Sequence, residues 1–278
     1  MGQTRRQMIG GLAGILAAGV APGAVTWCSS VGVEKDGGHN LPVDLVAISG
    51  KQTSKGYVKD GLLYHLDGID NDGYGQHSTT ISFPVDLTGR ISPNAITFVG
   101  NAPTIDEIGV SFSKNSFAYF DDEEMVSAIA ANPQSITIEC VYNLSEYLGG
   151  PFSVRSKEGT HRAIGGYTST DYAISYYNYN GTYISIPAGG TDRHKRNTIG
   201  QSSFTGNGTS YSLNENGYAV ASGTRTRSTD FGTGNDFDIG RSFSVGGVKV
   251  CALRVYNRVL TDDERKANWD LDKARFNL

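Results

Sequence analysis

Apolar and polar residues alternate along most of this chain in short runs, and glycine, asparagine, aspartate and proline punctuate the runs. The clearest run is Ile136 to Tyr142. Ile136, Ile138, Cys140 and Tyr142 hold the even positions, and Thr137 and Glu139 fall between them. Side chains alternate across a strand, so this spacing predicts a strand with one buried face. Similar runs predict strands at 61–66, 80–85, 95–99, 107–112, 116–120, 135–143, 151–155, 172–179, 183–187, 198–204, 210–213, 218–222, 237–240 and 248–256. No long helical period interrupts them, which argues against a parallel α/β sheet. The pattern therefore predicts an all-β, two-sheet antiparallel sandwich.

Two helices stand out beside the strands. Asp122 to Ala131 starts with acids, as a helix dipole favours, and Asn132-Pro133 ends it. Thr261-Asp262-Asp263-Glu264 is a capping box, predicting a C-terminal capping helix to about Phe276. Ala267, Leu271 and Ala274 recur at helical spacing, so they are expected to lie on the sandwich. Two hairpins are marked by Asn180-Gly181 and Asn214-Glu215-Asn216-Gly217. If Asn180-Gly181 is a two-residue loop, Asn178 opposes Tyr183 and Tyr176 opposes Ser185. Tyr177, Tyr179, Ile184 and Ile186 then share the apolar face, and Tyr176, Asn178, Tyr183 and Ser185 share the other.

The first 28 residues differ from the rest. Arg5-Arg6 precedes a mildly apolar stretch from Met8 to Val20, the layout of a secretory leader of twin-arginine type. The other reading is an uncleaved arm that anchors the chain to other virion subunits. Residues 29–56 read as a polar linker or outer strand, and 57–278 as one domain.

Composition fits such a domain without naming its ligand. The 278 residues include 36 glycines and 15 tyrosines, as expected for many turns and half-buried aromatic strands. A net charge of -4 speaks against a nucleic-acid partner. The one basic cluster, Arg193 to Arg196, reads as a solvated strand edge. Cys28, Cys140 and Cys251 match no zinc or redox spacing, and whether Cys140 and Cys251 pair stays open.

Four segments carry a family resemblance. Asp60-Gly61-Leu62-Leu63-Tyr64-His65-Leu66-Asp67-Gly68-Ile69-Asp70-Asn71 looks like an opening strand and loop. Asn132 to Glu139 fits the start of a core strand. Ser210 to Gly217 looks like a tyrosine–asparagine–glycine hairpin. Phe237-Asp238-Ile239-Gly240, followed by Val248 to Glu264, looks like a closing strand and helix. In this order, from Asp60 to Phe276, they resemble the laminin-G-like, concanavalin A-like jelly-roll domains of gut bacteria and their phages. The resemblance implies a jelly-roll sandwich that is secreted or displayed at a cell surface or on a virion.

Candidate chemistry is sparse. Jelly-roll glycosidases commonly carry Glu-x-Asp-x-x-Glu on one strand face, and that spacing is absent here. The five histidines show no triad or metal spacing. Asp67, Asp70, Asn71 and Asp72 cluster hard oxygen donors in a glycine-containing loop that suits Ca2+, and an ordinary turn would use the same residues. The resemblance adds to the calcium reading, because many laminin-G-like domains hold calcium at a loop edge. Tyr176, Asn178, Tyr183 and Ser185 combine rings with amide and hydroxyl groups, which suits a sugar; plain cross-strand packing would look alike. The expectation is a non-catalytic binding or adhesion module for a glycan or cell-surface protein. A phage virion structural protein is the first alternative and a glycoside hydrolase the second.

Overall fold

The computed structural model describes residues 54–125, 135–144, 150–156, 162–169, 173–177, 183–185, 198–207, 210–224, 235–241 and 247–278. Two antiparallel sheets face one another. The first runs β13 (Tyr218–Thr224), β12 (Ser210–Glu215), β11 (Ile199–Asn207), β6 (Ser135–Leu144), β15 (Val248–Tyr256), β4 (Val110–Phe112) and β3 (Thr104–Ile105). The second runs β10 (Tyr183–Ser185), β9 (Ala173–Tyr177), β8 (Arg162–Ser169), β7 (Phe152–Ser156), β14 (Asn235–Ile239), β5 (Phe117–Phe120) and β2 (Thr97–Val99). This is the two-sheet, all-β sandwich that the alternation predicts, and the C-terminal helix α1 (Asp262–Phe276) is present.

β15 is the hub of the first sheet. One edge pairs with β6 along its length. The other pairs with β4 at Val248 to Val250 and with β1 (Leu62–Asp67) at Ala252 to Tyr256. The change of partner coincides with a β-bulge, at which the register against β6 shifts between Val250 and Ala252. The bulge turns Cys251 and Ala252 to the outer face with Val141, Ile69 and Phe276. Cys140 points the other way, into the core between the sheets, and both cysteines are buried as thiols.

That core joins Tyr64, Leu66, Phe112, Ile136, Ile138, Leu253 and Val255 of the first sheet to Phe120, Phe152, Phe237 and Ile239 of the second. Phe237 is its centre: its ring stacks on Phe152 at 6.2 Å and meets Phe120 at 5.4 Å. Truncating such a side chain to alanine costs about 3–5 kcal/mol. Close packing also fixes a backbone position. A Cβ on Gly240, whose φ is 73°, would lie 1.9 Å from the Phe112 ring.

Several expectations fail for physical reasons. Residues 80–85 form a loop, because Pro84 lacks an N–H and the buried Asp86 carboxylate organises the chain beyond it. Asp86 accepts from the backbone N–H of His65, Thr88, Arg90 and Ile91. The strand β8 was not anticipated, since Gly165-Gly166 breaks its pattern. Of the expected acidic helix, residues 123–125 are helical, with Asp122 accepting from the Met125 N–H at 2.7 Å, and residues 126–131 lie outside the described residues.

The C-terminal helix keeps its expected ends. Thr261 and Glu264 close a reciprocal capping box, and Asn277 ends the helix in a left-handed conformation. Hydrogen bonds from Arg258 hold the Glu264 carboxyl at about 2. The buried face is not the expected one. Of the expected stripe, Ala267 and Ala274 are exposed and Leu271 is half-buried, while the helix buries Asn268, Asp272, Arg275 and Phe276. Glu139, expected on an open face, is fully buried, because the helix covers the outside of β6. Among the described residues, no helix is long and apolar enough to cross a membrane.

Candidate functional site

Beneath α1 lies a polar seam. The outer face of the first sheet supplies His65 and Asp67 from β1, Glu139 from β6, and Arg254 and Tyr256 from β15; the helix supplies Asn268, Asp272 and Arg275. Arg254 donates to Glu139 Oε2 at 3.0 Å and to both Asp272 oxygens at 2.9 and 2.5 Å. Asn268 Nδ2 donates to Glu139 Oε2 at 2.7 Å and to the Tyr256 hydroxyl at 3.1 Å. Tyr57 donates to Asp272 at 2.6 Å while its ring lies 4.0 Å from the Arg254 guanidinium. Such pairing is what lets charges stay out of water.

Arg275 extends the seam to the loop after β1. Its Nη2 donates to Asp67 Oδ1 at 2.7 Å, and its Nη1 lies 3.7 Å from Asp70 Oδ2. Ser54 N and Oγ each donate to Asp70 Oδ2 at 2.7 Å, so the stretch read as a linker ends inside the fold. Burial pushes the Asp67 and Glu139 carboxyls up despite their arginines. Burial, with Arg254 and Arg275 nearby, pushes His65 well down, so its buried ring is neutral. Closed beneath the helix, the seam joins elements: Glu139, Arg254, Asn268 and Asp272 are each fully buried.

The loop proposed for calcium is part of this seam. Asp67 Oδ1 also accepts from the N–H groups of Ile69 and Asp70, both at 2.9 Å. The Asn71 amide exchanges hydrogen bonds with the Ser78 backbone, both at 2.8 Å. Asp72 is exposed. The structure thus turns Asp67 and Asp70 toward a guanidinium, commits Asn71 to a turn and leaves Asp72 outside. Among the described residues, no three His, Cys, Asp or Glu side chains are grouped to hold a metal ion.

The tyrosine hairpin differs from expectation by one residue in register. Tyr183 pairs with Tyr177, Ile184 with Tyr176 and Ser185 with Ser175. Opposed residues of an antiparallel pair share a face, and a one-residue slip exchanges faces. The register therefore pairs Tyr183 and Ser185 with Tyr177 and Ser175, and not with Asn178 and Tyr176 as expected. Asn178 lies outside the described residues, as does the basic cluster from Arg193 to Arg196. The grouping of Tyr176 with Tyr183 and Ser185 is accordingly corrected.

On the other side of α1 is a groove of about 600 Å³ that the sequence analysis did not identify. Its floor is the outer face of β11 and β12, where alternation places Gln201, Ser203, Ser212 and Asn214. One wall is the turn at Asn216-Gly217 with Tyr218; the other is the helix, with Trp269 flanked by charged residues. Tyr218 is 72% exposed, unusual for so large an aromatic. Asn216 and Gly217 both have positive φ, 49° and 79°, which makes the two-residue turn. A Cβ on Gly217 would lie 2.4 Å from Trp269 Cδ1, so the missing side chain lets the indole lie against the turn.

The floor has unspent hydrogen-bonding capacity. Gln201 and Ser203 are each 2% exposed, and Gln201 Oε1 and Ser203 Oγ have no partner. Buried polar atoms are normally satisfied, so these two leave hydrogen-bonding capacity beneath the groove. Polar alternation in Gln201–Thr205 and Ser212–Asn214, together with a tryptophan off the expected apolar stripe, was the available signal.

No protein-family model matches the chain, and no curated protein matches it. Solved structures do. Domain 4 of AbnA, a GH43 extracellular arabinanase from Geobacillus stearothermophilus, in complex with arabinotriose, is similar with a TM-score of 0.55 and 16% identity, over 77% of this chain and 99% of that one. Botulinum neurotoxin type C, whose cell entry depends on interaction with two ganglioside molecules, gives 0.54 and 10%, over 76% of this chain and 51% of that one. A Trypanosoma rangeli sialidase mutant displaying trans-sialidase activity gives 0.52 and 16%, over 78% and 33%. This chain thus spans about half of the neurotoxin chain and a third of the sialidase chain. At these identities the likeness is one of fold, that of β-sandwich domains.

Proposed function

We propose that the protein is a non-catalytic binding or adhesion domain of the laminin-G-like, concanavalin A-like kind, working outside the cell on a glycan or glycan-bearing partner. The observation that carries this reading is the groove: the aromatic side chains Trp269 and Tyr218 line it together with Gln201 and Ser203, whose buried polar atoms Oε1 and Oγ have no partner. Rings accept the C–H faces of sugars, and amide and hydroxyl groups take their hydroxyls. Among similar solved structures, one domain is in complex with arabinotriose and one toxin enters cells through gangliosides, which is consistent with it. Binding is favoured over hydrolysis because the buried acids Glu139 and Asp272 are held by Arg254 beneath the helix.

A glycan array on the full chain tests this reading. Binding is expected to be lost with Trp269→Ala and weakened with Tyr218→Ala. Tyr176→Ala and Tyr183→Ala test the hairpin in parallel. Binding that survives both groove variants but falls with the hairpin variants moves the site to β9 and β10. Release of reducing sugar from a bound glycan overturns the non-catalytic reading.

A further inference from the structure

We infer that the groove selects acidic saccharides, sugars that carry a carboxylate or sulfate beside their hydroxyls. This rests on the binding reading above and narrows it. The two sides of the groove make different demands. On the floor, the Gln201 Oε1 oxygen is an acceptor without a partner, so a ligand that brings an O–H or N–H donor suits it. Ser203 Oγ beside it can donate or accept. A polyhydroxylated ligand meets both, and a simple anion meets only the second.

The helix wall asks for negative charge. Lys266 and Lys273 stand on either side of Asp270, with ammonium–carboxylate distances of 2.6 and 3.6 Å. Within the lining one carboxylate thus faces two cations, and Asp263, outside the lining, adds a further negative charge near Lys266. The remaining charged pair of the wall, Arg265 with Asp262, is internally matched. The lining therefore carries a formal surplus of one positive charge on a chain whose net charge is -4. Lys273 Nζ lies 5.8 Å from the Trp269 ring centroid, so a sugar stacked on the indole brings its substituents within reach of the ammonium. A neutral sugar satisfies the floor and ignores the lysines; an acidic one satisfies both.

The test uses the full chain on an array pairing sialylated, sulfated and uronate-bearing glycans with their neutral counterparts, followed by calorimetry on the best pair. The acidic member is expected to bind about fivefold tighter, with the difference shrinking as ionic strength rises. Asp270→Asn removes the competing carboxylate and should tighten acidic binding about threefold. Lys266→Gln with Lys273→Gln should abolish the preference, bringing the acidic and neutral members to equal affinity. All three positions are exposed, and an unchanged melting temperature checks that the variants fold. Equal or tighter binding of neutral glycans overturns acid selection and leaves the glycan reading standing. Weaker acidic binding by Asp270→Asn also overturns it, and inorganic sulfate held as tightly as the acidic glycan overturns the saccharide part. Failure of every glycan to bind removes both readings.

Discussion

Arg275, in the last turn of the C-terminal helix, donates to Asp67, at the end of the first strand, across 208 positions of sequence. Both side chains are fully buried. Replacing Arg275 with leucine leaves Asp67 and Asp70 buried without their counter-charge. The expected loss of stability is about 3–5 kcal/mol, read from urea denaturation. Adding Asp67→Asn should restore part of it, and a double variant no more stable than the single one would show that the charge is not the cause.

His65 should make stability fall in mild acid. Burial, then Arg254, Arg275 and Lys59, hold its folded pKa well below the unfolded value of 6.5. Between those two values the unfolded chain binds the extra proton, so stability is complete above about 6.5 and declines as the pH drops below it. Asp67 and Glu139 act oppositely, since their raised pKa values let the folded form hold protons longer. The histidine contribution is therefore read as a difference: His65→Gln should lose less stability than wild type between pH 6.5 and the acid limit of folding. Parallel curves for the two proteins would contradict it.

A chelator should leave the melting temperature unchanged. The Arg275 guanidinium already faces the carboxylates of Asp67 and Asp70, and Asn71 is committed to Ser78. A melting temperature that rises with added calcium and falls with EDTA would place a cation in this loop.

Gly217→Ala should damage the groove from beneath. The turn needs a φ of 79°, and the new methyl would collide with the Trp269 indole. Strain of this kind costs about 1–3 kcal/mol. A shift in tryptophan fluorescence and weaker glycan binding should accompany it, and an unaltered spectrum would show that the indole does not rest on the turn.

Strand identity was legible where side-chain period decided it. Ile136, Ile138, Cys140 and Tyr142 announce the core face of β6, and Thr261 with Glu264 announces the helix start. What the period could not reveal was the cover on the outer face. Glu139 and Arg254 look like solvent-facing residues until Asp272 and Asn268 are placed above them. Helix residues buried through hydrogen bonds leave no apolar stripe, so Ala267 and Ala274 misled. The groove was hidden for a related reason: Gln201, Ser203 and Trp269 are distant in sequence, and only the sheet order and helix position bring them together. The tyrosine pairing differs by one residue because an Asn-Gly pair in the sequence does not by itself fix the length of a connection.

The seam also sets an order of events during synthesis. When β1 leaves the ribosome, the partner of Asp67 is still more than two hundred residues from being made. The sheet can pair earlier, but its outer face then shows Glu139, Arg254 and Asp67 to water without Asp272 and Arg275. The fifteen-residue helix α1 thus completes the charge balance and the groove wall together. A nascent chain halted before this helix is a sandwich whose outer-face charges lack their partners and whose groove lacks one wall.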